Sequence, residues 1–258
     1  MPPCRVSRAP LKAGAGWTSK CPADRHRRTA AATVRRPAPR RAEETPLEAT
    51  RILAVRHGET AWNRLTRIQG HTDIELNEHG RWQAERLADA LREEPLAAIY
   101  ASDLKRARAT AEAVAHQRDM PVHIHMGLRE RGFGRFEGHT WDELELRFPA
   151  ETLAWRKRMP DFAPPGGETL LQLRERVLAA VDDLAARHPG EQVLMVVHGG
   201  VLDVLYRAAT RLELQAPRSW ALPNTAVNRL LWSPEGLGLV GWADVRHLQT
   251  DSLDEQHV

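Results

Sequence analysis

Two apolar runs, one towards each end of the chain, stop at the same dipeptide. Ile52-Leu53-Ala54-Val55 leads into Arg56-His57-Gly58, and Val193-Leu194-Met195-Val196-Val197 leads into His198-Gly199-Gly200. Short continuous apolar runs of this kind read as strands covered on both faces, as in a parallel sheet. Between and after them the period changes. Trp82, Ala84, Leu87, Ala88 and Leu91 share one helical face over 78–91, with Asn77 as N-cap. A strand is predicted over 96–101, then a helix over 104–117 capped by Ser102-Asp103, then a strand over 121–126 with His123 and His125 on one face.

Residues 128–167 are irregular, with short helical pieces near 141–148 and 151–158, and Pro164-Pro165-Gly166-Gly167 breaks the chain. A long amphipathic helix follows over 168–187, carrying Leu170, Leu173, Val177, Leu178, Val181 and Leu184. The His198 strand and a helix over 201–212 come next, and strands over 226–232 and 238–243 close the pattern as a hairpin around Pro234-Glu235-Gly236. Strands alternating with helices predict an α/β fold, a three-layer α/β/α sandwich with a mostly parallel central sheet. No internal repeat interrupts this pattern.

Composition adds a boundary. The first 50 residues hold eleven Lys and Arg against four acids, a net +7, so the chain's +3 leaves −4 on the rest. This leader is rich in Arg, Ala and Pro and has no lasting apolar period, so residues 1–50 read as a disordered segment and 51–258 as the catalytic domain. Its readings, in order of preference, are an upstream start assignment, a basic tail with weak affinity for nucleic acid or anionic surfaces, and a transit peptide. It lacks a secretory apolar core, and no apolar stretch is long enough to span a membrane. Both cysteines, Cys4 and Cys21, lie in the leader, so disulfides play no part in the body, which fits a cytoplasmic location.

Strands that end at Arg56-His57 and at His198 deliver two imidazoles and a cation to the carboxyl edge of the sheet, where open α/β folds bind ligands. Arg106 adds a guanidinium from the first turn of a helix at that same edge. Arginine presents a planar fork that matches phosphate oxygens two at a time, and Arg108 and Lys105 suit the solvated surface better. Cations and imidazoles without an evident metal set describe a phosphoryl pocket. One imidazole can attack phosphorus and form a phosphohistidine, while the other groups hold the equatorial oxygens. Glu130, following the third strand, can protonate the leaving alkoxide if burial raises its pKa. Glu59 is its competitor, its place just after His57 better suited to a capping or orienting role, and Asp103 and Glu137 read as a helix cap and a local partner.

The segment Arg56-His57-Gly58-Glu59-Thr60-Ala61-Trp62-Asn63, the stretch 102–110, Leu128-Arg129-Glu130 and His198-Gly199 together resemble the histidine phosphatase superfamily, in its phosphoglycerate mutase-like branch. The resemblance covers residues 51–250. It implies that His57 is the nucleophile, that Arg56, Arg106 and His198 bind the phosphoryl group, and that Glu130 is the proton donor. It further implies that Asn63 contacts phosphate, that Gln69 and Gly70 line the substrate mouth, and that Asn224 adds a substrate contact.

Three departures from the mutase pattern favour hydrolysis. Gly199-Gly200-Val201 stands where mutases using bisphosphoglycerate carry an asparagine and a serine, Phe133 replaces their usual tyrosine, and 130–164 is shorter than their substrate-covering insertion. The expected activity is therefore hydrolysis of a small phosphorylated metabolite without metal or cofactor. The alternative is a phosphoglycerate mutase, which alone would need 2,3-bisphosphoglycerate. A non-catalytic phosphate-binding module is the reading from another class, and the intact key positions argue against it. A metal site on His123 and His125 lacks a third ligand. No membrane partner is expected, nor nucleic acid for the catalytic domain, and the oligomeric state is left open, a dimer being one option.

Overall fold

The computed structural model describes residues 48–249, so the leader, apart from its last three residues, and the final nine residues lie outside it. Six strands form one sheet: β1 (Thr50–Arg56), β2 (Ala98–Ala101), β3 (Val122–Ile124), β4 (Gln192–Val197), β5 (Val227–Ser233) and β6 (Gly236–Asp244). Their order is β3-β2-β4-β1-β5-β6, parallel from β3 to β1 and antiparallel through β5 and β6. Thr50 thus belongs to the domain, one residue before the predicted boundary.

Alternation along the strands builds two cores. Ile52, Ala54, Val193, Met195 and Val197 face the helices α6 (Leu170–Ala185) and α7 (Gly199–Thr210), whereas Leu53, Val55, Leu194 and Val196 face α2 (Glu78–Ala90) and α3 (Lys105–Arg118). Every residue of β4 is buried, which explains its unbroken apolar run. The three-layer sandwich is as predicted. Asn77 caps α2 by accepting from the Gly80 amide at 2.7 Å, and Thr169 caps α6 in a box with Gln172.

Some expectations shift. Residues 61–64, for which the sequence pattern predicts no element, form the short helix α1 (Ala61–Arg64), capped by Thr60. The irregular region holds α4 (Trp141–Arg147) and α5 (Pro149–Arg156). These join Ile68, Phe136 and Phe133 in a third apolar cluster beside the sandwich. The strand β3 stops at Ile124, so His125 leaves the strand and caps a 3-10 turn instead. Neither Ser102 nor Asp103 caps α3, whose N-cap is Leu104 with no side-chain hydrogen bond. Among the described residues no helix is long and apolar enough to cross a membrane.

Candidate active site

Because β4 lies between β1 and β2, three adjacent parallel strands end side by side, at Arg56-His57, at His198 and at Ser102. Close backbone packing fixes the first of these ends. A Cβ on Gly58 would come within 2.4 Å of the Gly80 carbonyl oxygen, so only glycine lets the strand end abut the start of α2. The Gly58 amide donates to Thr110 Oγ1 at 2.9 Å, and that hydroxyl donates to the Arg106 carbonyl at 2.8 Å.

The His57 ring is buried, with Nδ1 2.7 Å from the Gly58 carbonyl oxygen. A carbonyl only accepts, so Nδ1 carries the proton and Nε2 keeps its lone pair. Burial, and then the charges of Arg106 and Arg56, hold the ring's pKa well below the ordinary 6.5, so it is neutral at pH 7. His198 is fully buried, its ring centroid 5.1 Å from that of His57. Its Nε2 lies 2.6 Å from Ser102 Oγ. Burial, then Arg106 and His57, likewise push its pKa well down.

Arg106 is fully buried and is held by two carbonyls, Thr72 O at 3.0 Å and Gly70 O at 2.8 Å. Burial lowers its pKa to about 10, which still leaves it charged at neutral pH. Arg56 donates to the Leu222 carbonyl at 2.6 Å. Among the described residues three nitrogens here are buried and unpaired: Arg56 Nε, Arg106 Nε and His198 Nδ1. Folded proteins rarely leave buried polar atoms so. Gathered around His57, these groups suit an oxyanion.

Glu130 faces them from the loop after the 3-10 turn Met126–Leu128, its carboxylate set against the start of α7. Its carboxylate accepts from the Gly200 amide at 2.9 and 3.1 Å and from the Arg131 amide at 2.8 Å. The side chain is half-buried rather than enclosed, against the expectation of a buried acid. A Cβ at Gly200 would fall 2.3 Å from Glu130 Oε1, so the glycine that departs from the mutase pattern makes room for this carboxylate.

Arg56, His57, Asn63, Gln69, Gly70, Arg106 and Glu130 all line one cleft of about 820 Å³. Asn63 Oδ1 is used within its capping box, accepting from the Thr60 amide at 3.0 Å, which leaves Nδ2 for a ligand. Two predicted residues do not line the cleft: His198, fully buried beside the His57 ring, and Asn224, which instead donates from Nδ2 to the His57 carbonyl at 2.8 Å and so braces the histidine. Glu59 accepts at 2.7 Å from Nδ2 of Asn77, the N-cap of α2, and so braces that cap rather than the His57 ring, and Asp103 forms an ion pair with Arg129. His123 lies against the Tyr100 ring, and among the described residues no group of three or more His, Cys, Asp or Glu side chains is placed to hold a metal ion.

Arg131 escaped the sequence reading, and Glu137, read as a local partner, does more than that reading implied. Arg131, immediately after Glu130, is buried over the Trp155 ring at 4.0 Å and forms part of the cleft wall. Glu137 accepts four hydrogen bonds, from the amides of His71, Thr72 and Phe133 and from the Thr72 hydroxyl, at 2.6 to 3.0 Å. It thereby holds the loop whose carbonyls grip Arg106. Backbone partners leave no residue-type signature, so no motif could have exposed it.

Residues 52–245 match the Histidine phosphatase superfamily (branch 1). The chain belongs to that family. A metal-independent phosphoserine phosphatase of Arabidopsis thaliana is 39% identical over 206 residues, 79% of this chain and 85% of that protein. A phosphoglycerate mutase-like protein 4 of the same plant is 38% identical over 202 residues, 77% of this chain and 86% of its own length. Among solved structures, Bacillus stearothermophilus YhfR superimposes with a TM-score of 0.73 at 36% identity, covering 78% of this chain and all of that one. As a histidine phosphatase superfamily member with such relatives, the chain is an enzyme of phosphoryl chemistry.

Proposed function

We propose that this histidine phosphatase hydrolyses a small phosphorylated metabolite through a phosphohistidine on His57. The observation that carries the reading is the neutral, Gly58-anchored His57 ring set among the unpaired nitrogens of Arg56, Arg106 and His198. In the first step Nε2 of His57 attacks phosphorus and the P–O bond to the alkoxide breaks. Glu130 gives the alkoxide its proton, and the guanidinium groups hold the equatorial oxygens. In the second step Glu130 takes a proton from water, which attacks phosphorus, breaks the P–N bond and releases orthophosphate. No cofactor enters this cycle, and 2,3-bisphosphoglycerate would be needed only by a mutase.

The cleft wall supports a substrate with negative charge beyond its phosphoryl group. Seven arginines line it against two carboxylates, Glu130 and Asp203. Arg67, Arg156 and Arg158 are paired with Glu143, Glu145 and Asp203, but among the described residues no carboxylate pairs with Arg218. The reading also puts the enzyme in the cytoplasm and takes the chain from Thr50 onward as its catalytic domain. A phosphate-release screen across phosphorylated metabolites, run beside 3-phosphoglycerate isomerisation with and without 2,3-bisphosphoglycerate, tests it. Hydrolysis of at least one anionic phosphomonoester is expected; isomerisation without net phosphate release would overturn the assignment.

A further inference from the structure

We infer that Ser102 is a positioning residue for His198: its hydroxyl donates to Nε2 and so keeps the ring's proton on Nδ1, where it can meet a phosphoryl oxygen. The inference rests on the phosphoryl site proposed above. The two side chains come from neighbouring strands, and the Ser102 amide bonds the Val196 carbonyl at 3.4 Å, two residues before His198. Ser102 is fully buried, and among the described residues its Oγ has one partner, Nε2 of His198 at 2.6 Å.

A hydroxyl carries one donor, and a neutral imidazole carries one donor and one acceptor, which leaves two arrangements. If Nε2–H donates to Ser102, the serine proton is buried without an acceptor and Nδ1 turns a lone pair towards the site. That lone pair would repel a phosphoryl oxygen. If Ser102 donates to a bare Nε2, its proton is satisfied and the one unpaired group is Nδ1–H, a donor matched to an anion. The second arrangement leaves nothing wasted once ligand binds. Burial and the neighbouring guanidinium groups of Arg106 and Arg56 disfavour a third state, the imidazolium, in the resting enzyme. Freed from capping α3, Ser102 has no competing duty.

The test is a long-range proton–nitrogen correlation spectrum of the full chain labelled with nitrogen-15 histidine near neutral pH, the His198 signals being those lost in His198→Gln. A protonated Nδ1 and a bare Nε2 are expected. The reverse tautomer, or an imidazolium, overturns the inference. In Ser102→Ala the His198 signals should shift towards mixed tautomers and inhibition by orthovanadate should weaken by about tenfold. Ser102→Thr, which keeps the hydroxyl, should recover much of that loss. Unchanged tautomer and vanadate inhibition in a folded Ser102→Ala would make the serine a mere spacer and sink the idea. If the alanine variant does not fold, the wild-type spectrum still decides. The spectrum does not depend on turnover, so a wild-type enzyme that released no phosphate would refute the proposed function separately.

Discussion

The His57 ring is held by a carbonyl on one side and crowded by guanidinium groups on the other, and each contact sets what a substitution does there. His57→Ala should abolish turnover and covalent labelling from a phosphorylated substrate; an acid-labile phosphoenzyme in that variant would refute the nucleophile assignment. Arg106 spends two donors on carbonyls and keeps Nε for the ligand. A lysine cannot copy that division, so Arg106→Lys should lower kcat/KM about 10²–10³-fold, roughly 3–4 kcal/mol of transition-state stabilisation. Phosphate release from an aryl phosphate measures it. Glu130→Gln should slow substrates with poor leaving groups and spare an activated aryl ester, since only the former need a proton delivered. Equal losses on both would move the acid elsewhere.

Among the elements, what the sequence made legible were those with a period. The strands β1 and β4 announced themselves by apolar runs, and α2 and α6 by apolar faces, α2 behind its cap Asn77. The four-residue α1 was too short to show a period. Ser102-Asp103 looks like a cap before a helix, but tertiary partners win: His198 takes the serine and Arg129 takes the aspartate. Arg56, His57, Arg106 and Glu130 were legible because strand ends and a helix start fix where they point. Asn224 was read as a substrate contact because chain position alone cannot show that its amide reaches the His57 carbonyl. Glu137 ties the loop over 70–72 to the Phe133 amide. Glu137→Gln replaces an acceptor oxygen by an amide facing donors, so it should cost roughly 1–3 kcal/mol of stability. Urea unfolding measures that loss, and vanadate inhibition should weaken beyond it because the Gly70 and Thr72 carbonyls no longer hold Arg106.

Across the whole molecule, two buried neutral histidines couple folding to pH. His57 and His198 have folded pKa values well below 6.5, so the unfolded chain binds more protons in mildly acid solution. Their stabilising effect is complete above about pH 6.5 and is lost as pH falls. The denaturation midpoint should therefore decline from pH 7 towards pH 5, before carboxylates such as Glu143, held down to about 2 mainly by its bond to Arg67, begin to titrate. Replacing both histidines by glutamine should flatten that decline, as thermal melting across this range would show. Charge works on binding too. Arg218→Ala should raise KM about tenfold for substrates bearing a second anion and leave simple alkyl phosphates unaffected, since one lost charged contact is worth 1.5–3 kcal/mol at most.

The placement of β4 between β1 and β2 has one more outcome, in time rather than space. A ribosome has made Arg56, His57, Arg106 and Glu130 long before it reaches His198, yet the strand that seats them as neighbours is still unbuilt. Until that strand slots into the middle of the sheet, the nascent chain holds a reactive imidazole with no pocket around it. Completion of the site thus waits on β4, and a chain stalled short of it should carry no phosphohistidine.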